Sequence, residues 1–126
     1  MTTRCAKLRA QDQQRSTICG SGADSSKNST ALASARLSDD ASRLEQVKVL
    51  FSQRPRYASA LHFGCRIVER RVDGKSDGTL FLALGERSRY KEEAQNLKSH
   101  LGKIVRIAKD GSVPGDNPFA GRADAW

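Results

Sequence analysis

The residue of this chain best suited to chemistry is His62, which precedes Phe63-Gly64 at the start of an apolar-periodic run. Imidazole titrates near neutral pH, and it is therefore the side chain used most often as a general acid or base. A lone histidine can equally be a polar residue in a turn. The elements around His62 must decide between a catalytic base at the end of a strand and a turn residue.

Short strands separated by turn residues predict a mainly antiparallel, all-β architecture. Apolar alternation or continuous apolar runs predict strands over residues 31–37, 44–51, 65–72, 79–84 and 103–108. Asp73-Gly74 and Asp77-Gly78 are both dipeptides typical of hairpin turns. Residues 90–100 carry apolar side chains at helical spacing, which predicts one short helix that Gly102 ends.

Residues 1–29 are polar and rich in helix and strand breakers, and they predict a poorly structured N-terminal segment. Residues 1–22 lack the continuous apolar core of a signal peptide. No run in the chain is long enough to span a bilayer.

Composition limits what the chain can be. Its 126 residues, 37% of them hydrophobic and 6% aromatic, allow one small domain or a piece of a larger one, with a thin core. The net charge of +8 would suit an anionic partner. However, the basic residues are scattered, and no zinc-finger, RNP or helix-turn-helix pattern accompanies them, which favours a solvated surface over a nucleic-acid site.

Three cysteines, Cys5, Cys19 and Cys65, stand at spacings that fit no metal motif. They allow one disulfide. If the chain stays in the cytosol, the expectation is a set of unpaired thiols.

Five segments carry a family resemblance in a fixed order. They read NSTALASARLSDD over 28–40, HFGCRI over 62–67, DGTLFLALGER over 77–87, EAQNL over 93–97 and NLKSHLGKIVRIAKDGSVPGDNPFA over 96–120. The ordered set resembles the soluble quinoprotein aldose sugar dehydrogenases, the glucose/sorbosone dehydrogenase family. The resemblance covers residues 24–126 and leaves residues 1–23 unmatched.

The resemblance implies a fold, an activity and a site. Members are six-bladed β-propellers that hold pyrroloquinoline quinone (PQQ) with calcium, and they oxidise the anomeric hydroxyl of an aldose to a lactone. The chain is accordingly expected to form one to two blades, with an aldose sugar and an electron acceptor as partners. By resemblance, His62 is the general base and Glu86 is the carboxylate that orients it. The family is periplasmic or secreted.

Two departures from the family pattern lie in this region. Glu86 stands where the family has an aspartate, so its carboxylate would be displaced unless the backbone shifts. The connection between Glu69 and Gly78 is longer than in the family, and a longer hairpin tip can shift the strand register.

The third departure is that the chain stops at Trp126, before the family's quinone-gripping residues and calcium ligands. The resemblance therefore assigns no cofactor-binding or metal-binding residue in this chain. The expectation is a truncated, inactive portion that self-associates through uncovered strand edges. The alternative is a non-enzymatic remnant, or a basic interaction module that binds an anionic partner.

Three further residues or pairs are predicted to be structural. His100 is expected to be a helix-end residue rather than a ligand, and Cys65 a packed small side chain. Asp116 and Asn117, in PGDNPF, are expected to stabilise a turn rather than to bind a cation.

Overall fold

The computed structural model of the protein describes residues 8–9, 15–24 and 27–121, in which the regular structure is almost entirely β. The first antiparallel sheet has its strands in chain order: β1 Leu8–Arg9, β2 Arg15–Asp24, β3 Lys27–Leu37 and β4 Leu44–Ser52. The second antiparallel sheet follows in the same way: β5 Gly64–Val72, β6 Lys75–Leu84 and β7 Ile104–Ala108. Because every neighbour in a sheet is also the neighbour in sequence, each sheet is a simple meander. Within the described residues, no helix is long and apolar enough to cross a bilayer.

The core lies between the two sheets, and period-two patterning produces it. In β5 and β7 alternate side chains are buried, and in β6 burial is continuous at Thr79 and Leu80 and alternates thereafter. The first sheet contributes Leu32 and Leu50 to one apolar cluster, against which Phe51 packs. The second sheet contributes the rest: Cys65, Ile67, Leu80, Leu82, Leu84, Val105 and Ile107. Since burying one such side chain contributes about 1.5–3 kcal/mol, this cluster holds the sheets face to face.

The five strands predicted from the sequence are confirmed, with boundaries that differ by a few residues. The prediction of a poorly structured segment up to Ser29 is wrong for β1, for β2 and for the start of β3. The reason is that β2 is paired with β3 along its whole length, from Arg15–Arg36 to Asp24–Lys27. Backbone hydrogen bonds to a neighbouring strand hold a segment whose own side chains show no period. The same prediction for residues 1–7, 10–14 and 25–26 lies outside the described residues.

The helix predicted over residues 90–100 is wrong in length and type. Only a short 3-10 helix forms in this segment, Lys91–Gln95, and Asn96 after it is extended. The chain then turns toward the first sheet, where the His100 amide donates to the Arg54 carbonyl over 2.8 Å. This bond and the burial of Leu101 outweigh helical propensity over so short a run.

The connection between β5 and β6 combines a tight turn with a bulge. Asp73 and Gly74 form a two-residue turn with φ of +50° and +76°, as a type I′ turn requires. Asp77-Gly78, also predicted as a turn, lies within β6 and forms a bulge. Between the pairs Glu69–Leu80 and Arg71–Ser76, β5 has one residue and β6 has three residues that are not paired across the hairpin.

The bulge is held by its own side chains. The Asp77 carboxylate accepts hydrogen bonds from the Thr79 amide and hydroxyl, at 2.9 and 2.7 Å, and from Arg70 at 2.8 Å. From Leu80 to Ala83 the register against β5 is then regular. The irregularity at Asp77–Thr79 is therefore confined to the end of the hairpin near its turn.

Candidate active site

His62 and Glu86 meet at the end of the second sheet opposite the hairpin turn. His62 lies in the loop just before β5, and Glu86 lies in the turn just after β6. The Nδ1 atom of His62 is 2.6 Å from Oε1 of Glu86. The structure thus brings together the two residues that the resemblance proposed as a pair. The side chain of His62 is 59% exposed, so a molecule in solution can reach it.

Glu86 is fixed and ionised in this arrangement. Its Oε1 also accepts a hydrogen bond from the Ser88 amide at 3.1 Å. The hydrogen bond to His62 is the main cause that holds the pKa of the Glu86 carboxyl below its usual range. An ionised Glu86 can only accept, so the shared proton of a neutral imidazole sits on Nδ1 and Nε2 is left as the basic nitrogen.

The side chain of Glu86 reaches His62 from an unusual backbone turn. Arg87 and Ser88, the next two residues, have φ of +64° and +68°. Non-glycine residues rarely adopt this left-handed region, and its occurrence at consecutive positions marks a constrained turn. The turn curls the chain so that the carboxylate of Glu86 contacts both His62 and the Ser88 amide.

Two backbone hydrogen bonds join the loop of His62 to the turn of Glu86. The Gly85 amide donates to the Phe63 carbonyl at 3.1 Å, and the Arg87 amide donates to the His62 carbonyl at 3.2 Å. The segments approach so closely that a Cβ atom on Gly85 would lie 1.8 Å from the His62 carbonyl oxygen. Only glycine fits at this position, because any side chain would force the two segments apart.

Arg87 clamps the loop that leads into His62. Its guanidinium is buried, lies 3.7 Å from the ring centroid of Phe63 and donates to the Leu61 carbonyl at 3.0 Å. It also donates to the Ser59 carbonyl and to the side-chain oxygen of Asn28. Burial lowers the pKa of Arg87 from its ordinary value, but an arginine remains charged. A charged clamp on several carbonyl oxygens makes the approach to His62 rigid.

A family model described as Glucose / Sorbosone dehydrogenase matches residues 13–126. The chain belongs to the glucose/sorbosone dehydrogenase family. The aldose sugar dehydrogenase YliI of Escherichia coli K12 is 41% identical over 107 residues, which are 82% of this chain and 27% of that protein. An uncharacterized protein of Synechocystis, slr1608, is 35% identical over 94 residues, 68% of this chain and 22% of that protein.

Solved structures of the family share the fold. A crystal structure of a glucose dehydrogenase superposes with a TM-score of 0.83 at 35% identity, over 98% of this chain and 35% of that one. The soluble aldose sugar dehydrogenase of Escherichia coli, in its apo form, superposes with a TM-score of 0.78 at 36% identity, over 91% and 32%. The chain therefore spans about a third or less of these relatives, and its two sheets are part of a β-propeller.

The family match also extends further toward the N-terminus than the resemblance did. It begins at residue 13, upstream of the boundary near residue 24, and so includes β2. The segments that flank His62 and Glu86 therefore lie inside a family match that covers residues 13–126.

Cys65 meets one of the two expectations made for it and contradicts the other. It is buried in the inter-sheet cluster, as a packed small side chain would be, but it is disulfide-bonded and not a free thiol. It also has a φ of +97°, and Gly64 before it has a φ of +75°. Here β5 has one more residue than β6 between the pairs Gly64–Leu84 and Arg66–Ala83, so Cys65 forms a bulge next to His62.

His100 has a structural role, although it lies in the irregular segment between the 3-10 helix and β7 and not at a helix end. Its Nδ1 accepts a hydrogen bond from the Arg54 amide at 2.8 Å, and its ring lies 5.0 Å from that of Phe51. Burial, assisted by the charges of Arg54 and Lys103, lowers the pKa of His100 to about 4. The histidine is therefore neutral at pH 7 and serves as an acceptor in the core.

The loop around Asp116 and Asn117 is docked on β7 through Arg106. The Arg106 guanidinium donates to the Asp116 carboxylate at 2.8 Å, and the Asn117 amide group donates to the Arg106 carbonyl at 3.0 Å. The Asp116 carboxylate, which a bound cation would need as a ligand, is therefore paired with Arg106. Among the described residues, no group of three or more His, Cys, Asp or Glu side chains could hold a metal ion.

Sequence reasoning did not find Thr30, Gln53 or Arg87 as contributors to this region. Arg87 is adjacent to Glu86 in Gly-Glu-Arg, but nothing in the sequence indicates that its side chain turns inward. Thr30 lies on β3 and Gln53 lies just after β4, and only the packing of the two sheets brings them near His62.

Proposed function

We propose that this chain supplies the proton-accepting part of a sugar dehydrogenase, with His62 as the general base and Glu86 as the carboxylate that orients it. The observation that carries the proposal is the 2.6 Å contact between His62 Nδ1 and Glu86 Oε1. The family membership and the similarity to an aldose sugar dehydrogenase support an aldose as the substrate.

The pair is suited to one step of that oxidation. His62 Nε2 takes the proton of the anomeric hydroxyl as its O–H bond breaks, and the C–O bond becomes a carbonyl, which gives the lactone. The hydrogen on the anomeric carbon leaves with its electron pair as hydride to the electron acceptor. The negative charge of Glu86 stabilises the imidazolium that forms and keeps Nε2 in one orientation.

The proposal assigns no residue of this chain to the electron acceptor. The family uses PQQ, and the resemblance implies calcium beside it. The described residues lack a cluster that fits calcium, and three cavities among them are lined by neither His62 nor Glu86. The proposal is accordingly confined to proton transfer, which the residues of this chain can perform.

A chimera tests the proposal, because this chain spans about a third of its solved relatives. The chain replaces the matching segment of the Escherichia coli aldose sugar dehydrogenase, and oxidation of an aldose is followed with a dye acceptor. We expect turnover by the chimera and a loss of about 10²- to 10⁴-fold in kcat/KM on His62→Gln, the range typical of a general base.

The matched control is His100→Asn, which removes the other histidine and is expected to keep the rate of the parent chimera. An inactive parent chimera, or a His62→Gln chimera as fast as its parent, would contradict the proposal.

A further inference from the structure

Two buried polar side chains of the first sheet reach the segments that carry His62 and Glu86. Thr30 on β3 and Gln53 just after β4 are each 1% exposed. The Thr30 hydroxyl donates to the Phe63 carbonyl at 2.9 Å, and the Gln53 side-chain amide donates to the Gly85 carbonyl at 3.2 Å. Phe63 follows His62, and Gly85 precedes Glu86. We propose that Thr30 and Gln53 are positioning residues for the His62–Glu86 pair.

The bonds of these two residues close into a circuit. The Thr30 amide donates to Oε1 of Gln53 at 3.2 Å, and the Gln53 amide donates to the Thr30 carbonyl at 2.8 Å. On the other side, the Gly85 amide donates to the same Phe63 carbonyl that Thr30 contacts. Each sheet therefore contributes two residues, and each residue is bonded to the next around the ring.

Burial makes the circuit cooperative. A hydrogen bond contributes about 0.5–1.5 kcal/mol net, but a buried polar group that loses its partner costs about 1–3 kcal/mol. Neither Thr30 nor Gln53 is exposed enough for water to replace a lost partner, so breaking one bond weakens the others. The carbonyls of Phe63 and Gly85 are thus held by the first sheet and not by their own sheet alone.

The rest of the sheet-to-sheet packing differs in kind. It is the apolar cluster, which is non-directional and tolerates small displacements. The circuit is directional, and two of its bonds end at carbonyls one residue away from His62 and Glu86. A displacement of about 1 Å near a catalytic pair can lower a rate about 100-fold, so directional bonds at these points affect alignment more than stability.

The inference rests on the proposed function, but its test uses the chain alone and needs no turnover. The carboxyl carbon of Glu86 is followed by NMR as the pH is lowered, and Glu86→Gln identifies the signal. Thr30→Val removes one hydroxyl at nearly constant shape, and Gln53→Met removes the amide. In both variants we expect the pKa of Glu86 to rise toward its ordinary value, because the contact with His62 is loosened.

Thr30→Ser is the matched control, because it keeps the hydroxyl and is expected to keep the lowered pKa of Glu86. An unchanged Glu86 pKa in folded Thr30→Val and Gln53→Met, checked by circular dichroism, overturns the inference. An inactive His62→Gln chimera combined with that result would leave the proposed function standing and remove only the positioning role. A rise in the pKa of Glu86 in both variants, together with a His62→Gln chimera as fast as its parent, would support the positioning role and contradict the proposed function.

A measurement on the unaltered chain covers the case in which a variant fails to fold. If the circuit opens as one unit, the amide protons of Gly85 and Gln53 exchange with solvent deuterium at similar protection factors. Exchange at Gly85 that is about tenfold or more faster than at Gln53, the effect of about 1.4 kcal/mol, also overturns the inference.

Discussion

The neutral, buried His100 predicts a specific loss of stability in mild acid. In the unfolded chain a histidine titrates near 6.5, and in the folded chain burial lowers the pKa of His100 to about 4. Between these values the unfolded chain binds more protons than the folded chain, so stability is full above pH 6.5 and falls as the pH is lowered toward 4.

The size of the effect follows from the same two values. A lowering from 6.5 to about 4 corresponds to about 3 kcal/mol of free energy of unfolding if the pH is taken below both. Between pH 8 and pH 5 the expected loss is about 2 kcal/mol. The charges that face the ring, Arg54 and Lys103, are both positive and add to the burial, and only a backbone hydrogen bond at Ser52 opposes them.

The assay is urea unfolding followed by circular dichroism at pH 8 and pH 5, on the unaltered chain and on His100→Asn. Asparagine places Oδ1 where His100 has Nδ1, so it can still accept from the Arg54 amide, but it does not titrate. Loss of the ring contact with Phe51 costs stability equally at both pH values. All other titrations are common to the two proteins and cancel in the difference.

We expect the unaltered chain to lose about 2 kcal/mol more than His100→Asn between pH 8 and pH 5. Losses that are equal within about 0.5 kcal/mol would contradict this prediction, since they would mean that His100 is protonated at no cost in the folded chain.

Two further predictions concern contacts with backbone carbonyl oxygens. Gly85→Ala is expected to cost about 3 kcal/mol or more in urea unfolding and to raise the pKa of Glu86, because the new Cβ would lie 1.8 Å from a carbonyl oxygen. Gly115→Ala, where nothing lies within 4 Å, is its control, and similar costs for the two would count against the clash. Lys103→Met removes three bonds from Nζ to carbonyl oxygens, at 2.8, 2.7 and 3.1 Å, and is expected to cost about 1–3 kcal/mol in the same measurement. Lys48→Met, which removes one exposed bond, should cost less, and an equal cost would contradict the role of Lys103.

Period and turn chemistry predicted most of the second sheet. The alternation around Ile67 and the apolar run through Leu82 correspond to β5 and β6, and Asp73-Gly74 forms the turn between them. These signals are local, so a single sequence contains them. β2 could not be predicted in this way, because its strand conformation depends on pairing with β3 and not on its own composition.

The site was predictable only in part. The resemblance named His62 and Glu86, and the structure places them in contact. What holds them is non-local: the bonds from Thr30 and Gln53 span 33 and 32 residues of sequence. No periodicity or spacing rule indicates such bonds, because they exist only after the two sheets have packed.

The bulge at Asp77–Thr79 has a consequence for how relatives of this chain can be recognised. The bulge lies near the hairpin tip, about as far along the strands from His62 and Glu86 as the hairpin allows. The number of residues that separates the two is therefore free to drift while their contact is kept. A search for relatives that demands a constant gap between the histidine and the carboxylate is therefore stricter than this fold requires.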